Sequence, residues 1–191
     1  MFSNLVKDRH SQALPTGALQ YVNKIIESST RMAALVNDLL SFTKLTADSS
    51  FESLKLNTVI AEVLSDLELV INEKNAIIEV DDMPMADIVP GYMRQVFQNI
   101  ISNSLKFSRD DRQPHIRISC TKVSELSFTN AYDKKGKFCR ITIKDNGIGF
   151  DNEYAEKIFT IFQRLHSRHE YEGTGIGLAI ARKIIAKHKG I

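Results

Sequence analysis

Three short stretches hold residue types that do chemistry in combination. Asp145-Asn146-Gly147-Ile148-Gly149 follows a strand-like run that ends at Lys144. A carboxylate at a strand end can reach into a crevice and accept a hydrogen bond from an exocyclic amine such as that of adenine. Gly147 and Gly149 let the backbone bend beneath a flat ring, although Asp-Asn-Gly is also a common tight-turn sequence. Gly173-Thr174-Gly175-Ile176-Gly177-Leu178 leads into an apolar helical pattern, and glycines at a helix start expose N–H groups that bind phosphate. The spacing is neither G-x-G-x-x-G nor G-x-x-x-x-G-K-[ST]. The third stretch is Asn99 to Phe107. Asn99, Asn103 and Lys106 stand at i, i+4 and i+7 and share one helix face. Amide oxygens beside an ammonium suit a phosphate–Mg²⁺ unit, since Mg²⁺ takes a few hard oxygen ligands and keeps waters. A solvated helix face is the plainer alternative. Of the nine glycines in 191 residues, five fall between 147 and 177.

These residues need elements to position them. Residues 1 to about 11 read as the end of a helix, and Ser11 to Gly17 as a turn. From Thr16 to Leu45, Val22, Ile25, Ser29, Met32, Val36, Leu39 and Thr43 recur at spacings of three and four. That predicts a helix about 45 Å long, at roughly 1.5 Å per residue. Its apolar stripe is too wide to stand alone, so it predicts a helical hairpin that pairs with a second copy in a four-helix bundle, with packing on its own domain as the alternative. Thr46 to Ser50 is small and polar and marks a boundary between units 1–50 and 51–191. Beyond it come a strand at Leu54–Leu56, a helix from Thr58 to about Lys74 capped by Asn57, a strand at Ala76–Val80, and a helix from Tyr92 to about Phe107. Two alternating strands follow near 116–121 and 138–143, then helices at 153–162 and 177–188. The fold class is α+β: a two-layer sandwich of mixed sheet and helices, preceded by an antiparallel helical hairpin.

Composition narrows the partners. Net charge is +2, too balanced to argue for nucleic acid or an anionic membrane surface. No apolar run approaches the roughly 20 residues needed to span a bilayer, and the first residues do not form a signal peptide. Those features predict a cytoplasmic chain with no direct membrane contact, whose parent can still be anchored upstream. Cys120 and Cys139 read as reduced core thiols, with a disulfide or a reactive thiol as the alternative. His115, His166, His169 and His188 read as surface imidazoles by default, and only His166 has a functional case.

Taken together, the stretches resemble the ATP-binding domain of sensor histidine kinases, a branch of the superfamily that includes gyrase, Hsp90 and MutL. Asn99 to Ser108 is similar to the family's N box, Asp145 to Gly149 to its G1 box, Phe159 to Arg164 to its F box, and Gly173 to Leu178 to its G2 box. All four stand in the family's order. The stretches 102–108 and 159–166 are most similar to phytochrome-like sensor kinases. The resemblance spans about residues 52 to 190, and the earlier helices resemble the family's dimerisation and phosphotransfer hairpin.

The resemblance implies roles. Asn103 would ligate Mg²⁺ with Asn99 beside it, Lys106 would contact phosphate, and Phe107 would line the pocket. Asp145 would hold the adenine amine over Gly147, Ile148 and Gly149. Gly173, Thr174, Gly175, Gly177 and Leu178 would form the phosphate segment. Residues 165–172 would be an ATP lid, with Arg164, His166 and Arg168 as phosphate contacts. The γ-phosphoryl group of ATP would pass to a histidine and then to an Asp of a response-regulator receiver domain. In the family that histidine precedes an acidic residue. His10 has Pro15 at the right distance but Ser11 in place of the acid, so the acceptor is expected upstream of Met1. The family's closing β-hairpin is expected beyond Ile191. Two alternatives stay open: an ATPase of the gyrase kind, and a nucleotide-binding or dimerisation scaffold without kinase activity.

Overall fold

The computed structural model describes residues 2–10, 14–44, 50–126, 134–165, 171 and 173–191. The long apolar periodicity at the start of the chain becomes the antiparallel hairpin of α1 (Phe2–His10) and α2 (Thr16–Lys44). With nine residues, α1 covers only the beginning of its partner. Farther along α2, Ile25, Met32 and Val36 stand 52%, 57% and 56% exposed. Leu35 and Phe42, on another side, pack against the core of the following layer.

That layer runs in the order β1 (Glu52–Lys55), α3 (Leu56–Asp66), α4 (Glu68–Glu73), β2 (Ile77–Val80), β3 (Met85–Ile88), α5 (Pro90–Lys106), β4 (His115–Leu126), β5 (Lys134–Asp145) and α6 (Gly177–Lys187). β2 pairs parallel with β4, and β4 antiparallel with β5, giving the strand order β2-β4-β5. β1 and β3 form a separate antiparallel pair. Alternation decides which side of β4 faces inward: Ile116 and Ile118 are buried while Arg117 lies outside. Against that face pack the apolar stripes of α3, α5 and α6, through Val63, Phe97, Ile101 and Ile180. One layer is helical, the other strands.

Several expectations need correcting. The helix expected over 58–74 is two, broken at Leu67, whose N–H still bonds to Val63 O at 3.1 Å. Asn57 is no cap. α3 starts two residues earlier than expected, at Leu56, straight from β1, and the amide of Asn57 instead clasps the loop after β2. Its Nδ2 donates to Asp81 O at 3.0 Å, and Met83 N donates to its Oδ1 at 2.8 Å. The strand β3 was not expected. In place of a helix over 153–162 there are two short 3-10 turns, Asn152–Tyr154 and Lys157–Phe159. Phe162 ends the pattern with a left-handed backbone (φ 66°), and its N–H donates to Gly175 O at 3.0 Å. That bond draws the chain toward the glycine loop and away from a helical path.

The cysteines are not separate thiols. Cys120 on β4 and Cys139 on β5 are diagonal neighbours across the ladder, their Cα atoms 6.4 Å apart, and their sulfurs are bonded. His188 is not a free surface imidazole either. It is half-buried, donates from Nδ1 to Ile184 O (2.8 Å), and accepts Val89 N–H at Nε2 (3.0 Å). It thereby satisfies the residue that opens α5, which has no side-chain cap of its own. His166, Arg168 and His169 lie outside the described residues.

Candidate functional site

α5 is the spine of the site. Pro90 sits at its first position, where the missing N–H costs nothing. Met93, Val96, Phe97, Ile101 and Leu105 fall at helical spacing and are buried, leaving the edge with Asn99, Asn103 and Lys106 toward the glycine loops. The helix ends at Phe107, whose carbonyl accepts the N–H of Ile148 at 3.0 Å. A Cβ on Gly147 would meet that same carbonyl oxygen at 2.5 Å, so the approach requires glycine.

This staple fixes the loop after β5. Asp145 ends that strand, and Gly147 N donates to its Oδ1 at 2.9 Å. Ser104, on α5, has its hydroxyl 3.1 Å from Asp145 Oδ2. Asn146 holds the loop from the other side: its Oδ1 accepts His115 N and its Nδ2 donates to Gln113 O, both at 2.9 Å. Gly149 is left-handed (φ 67°), and Ile148 is partly exposed. Just beyond the C-terminal end of α5, the Arg109 guanidinium hydrogen-bonds Asp111 and holds its carboxyl at about 2, below the ordinary 3.8.

The second glycine loop meets the same helix along its polar edge. Asn99 Nδ2 donates to Gly177 O at 3.0 Å. Lys106 Nζ lies 3.1 Å from where a Cβ on Gly173 would stand, and 4.2 Å from the centre of the Phe107 ring. Phe107 in turn packs on Tyr171, ring centres 4.8 Å apart. Arg164 donates from Nη1 to Gly173 O at 3.0 Å and from Nη2 to Tyr171 O, so its fork bridges loop carbonyls. Gly175, left-handed at φ 75°, passes close against residues 162–164. Leu178 is half-buried in the first turn of α6. Asn103 is half-buried, and its side-chain amide has no hydrogen-bond partner among the described residues.

Thr174 is held from outside this layer. Its hydroxyl lies 2.6 Å from Asp38 Oδ2 on α2, and nearby Lys183 donates to Phe42 O at 2.7 Å while lying 3.9 Å from the centre of the Phe42 ring. Of the expected residues, the structure sets Asn99 against Gly177 and Lys106 against Gly173, in the loop that also holds Thr174 and Gly175, and sets Phe107 against Gly147 and Ile148 in the loop that holds Asp145 and Gly149. Ser104, Asn146, Tyr171 and Asp38 belong to the same arrangement and were not expected. Ser104 did lie inside the polar helix segment, which was the available signal.

Residues 89–191, slightly over half of the chain, match the family model for histidine kinase-, DNA gyrase B-, and HSP90-like ATPases. The chain belongs to this family. Among its relatives, the phytochrome-like protein Cph1 of Synechocystis is 37% identical across 99% of this chain, and 24% of that protein is covered. Sensor protein kinase WalK of Staphylococcus epidermidis is 31% identical across 94% of this chain and 30% of its own length. The chain therefore spans about a quarter to a third of these family members. The fold agrees with that of histidine kinase ThkA, solved with the response regulator TrrA (TM-score 0.64, 21% identity, 99% of this chain and 51% of that one). It agrees likewise with full-length ShkA, solved with AMPPNP (TM-score 0.63, 21% identity, 97% and 36%). The helices and strands of this family member thus share the fold of these solved histidine kinases.

Proposed function

We propose that this chain is the nucleotide-holding part of a sensor histidine kinase, residues 51–191 binding ATP with Mg²⁺ and residues 1–50 contributing to a dimerisation and phosphotransfer hairpin. One observation carries the reading. α5 touches both glycine loops: Ser104, from its buried face, meets Asp145, while Asn99 and Lys106, from its polar edge, meet Gly177 and Gly173. A ligand with an amine at one side and phosphates at another fits between two loops gathered on one helix. Asp145 would accept the adenine amine over Gly147, Ile148 and Gly149, and Phe107 would border the base. Lys106, the loop N–H groups and Thr174 would meet phosphate. Arg164 supports the loop carbonyls, and His166 would act from the lid.

The donor set fits a hard cation. Asn99 has its amide nitrogen engaged on Gly177 O, so its oxygen is the atom left for a metal, and Asn103 brings a second amide. Mg²⁺ would supply charge neutralisation across the phosphates. The protein's own contribution is positioning: it binds ATP and presents the γ-phosphoryl group. A histidine nitrogen attacks that phosphorus as the bond to the β-phosphate oxygen breaks. The phosphoryl group then passes to a receiver-domain Asp. WalK is named a sensor protein kinase, and ThkA was solved with a response regulator, which supports this reading. An amide at Asn99 cannot serve as a general base for water, which disfavours fast ATP hydrolysis. The exposed stripe through Ile25, Met32 and Val36 supports homodimerisation through α2. No described helix is long and apolar enough to cross a membrane, and use of ATP suits a cytoplasmic location.

Calorimetry with a non-hydrolysable ATP analogue and Mg²⁺ tests the site. Binding should be measurable and should fall at least ten-fold in Asp145→Asn. Equal binding by both proteins would sink the assignment.

A further inference from the structure

The Asp145 carboxylate is held more tightly than binding an amine requires. Gly147 N–H donates to Oδ1, and the Ser104 hydroxyl stands 3.1 Å from Oδ2. Ser104 is only 6% exposed, and its sole competing acceptor among the described residues is Ile100 O at 3.2 Å. One hydroxyl proton cannot serve both. A bond to an ionised oxygen is the stronger, so the proton goes to Asp145. With each oxygen already accepting one bond, the carboxylate is held in one orientation. Asp145 is itself exposed, so its remaining lone pairs stay open to a ligand.

We propose that Ser104 is a positioning residue for base selection, immobilising Asp145 so that the site prefers a 6-amino purine over a 6-oxo purine. This rests on reading Asp145 as the group that meets the base. A fixed acceptor welcomes an amine and repels a carbonyl oxygen at the same position. A carboxylate free to swing could instead reach the N1–H of a 6-oxo purine. Removing the hydroxyl therefore relaxes selectivity from both directions.

The test is calorimetric titration with ADP and with inosine diphosphate, both with Mg²⁺, on the parent protein, Ser104→Ala, Ser104→Thr and Asp145→Asn. Alanine is a better helix former than serine, so Ser104→Ala keeps α5. The preference for ADP over inosine diphosphate should fall about ten-fold in Ser104→Ala, and Ser104→Thr, which retains the hydroxyl, should keep most of it. Should Ser104→Ala weaken both ligands equally, or neither, while Asp145→Asn abolishes the preference, the role of Ser104 is overturned and the base site stands. Should Asp145→Asn leave the preference intact as well, the base site falls with it.

Discussion

Asp38 in the hairpin helix and Thr174 in the glycine loop share a hydrogen bond of 2.6 Å, although 136 residues separate them. The same hydroxyl is a proposed phosphate contact. An arriving triphosphate would meet a carboxylate at that point, so docking of α2 and binding of nucleotide compete. Releasing the pair costs roughly 1 kcal/mol. Asp38→Ala should therefore bind an ATP analogue about five-fold more tightly, as read by calorimetry. Lys183→Ala, which frees Phe42, should shift affinity in the same direction. Unchanged affinity in both variants would dismiss the competition.

Two neighbouring glycines should differ in what they tolerate. A methyl at Gly147 would overlap the Phe107 carbonyl, displacing the Ile148 bond to it. Gly149 has open space around it but a left-handed backbone. Gly147→Ala should cost about 3 kcal/mol and Gly149→Ala about 1 kcal/mol, from urea unfolding midpoints.

His188 gives α5 the acceptor that no residue at its own start provides. Val89, whose N–H it takes, is 7% exposed. His188→Ala leaves that donor without a partner and should lower stability by about 1–3 kcal/mol. Hydrogen exchange should rise first at residues 89–93, ahead of the rest of the helix.

The Arg109–Asp111 pair has a signed pH dependence. Hydrogen bonding from Arg109 depresses the folded carboxyl to about 2 from 3.8. Its contribution is therefore fully present above the unfolded value and disappears as pH falls through about 2. An NMR titration of the Asp111 carboxyl should show that low midpoint, and Arg109→Gln should return it toward 3.8. A parent midpoint already near 3.8 would contradict the pairing.

What could be read in the sequence was local. The Asn99, Asn103, Lys106 edge depends only on helical periodicity with an apolar opposite face, and α5 follows it within two residues at its start. Helix α6 was legible for the same reason, and the loop at 173 from its three glycines in five residues. What escaped depends on distant partners. Ser104 meets Asp145 across 41 residues, and Asp38 meets Thr174 across far more. The helical pattern at 153–162 yielded because Phe162 bonds to Gly175 from a left-handed turn. Asn57 looked like a cap until β3, which alternates too weakly to be predicted, brought the loop before it within reach.

Asn146 clamps the Asp145 loop, the proposed seat of the base, to the entrance of β4, while Phe107 clamps it to α5. The Gly173–Gly177 loop is also held within its own layer, by Asn99 on Gly177, Phe162 on Gly175 and Arg164 on Gly173, but its Thr174 is shared with the hairpin through Asp38. A nucleotide entering such a site would find a seat for its base that owes nothing to the hairpin, and a seat for its phosphates that the hairpin already touches. Adenosine should then be insensitive to where the hairpin sits, and the length of the phosphate chain becomes the quantity by which the domain senses its own helices.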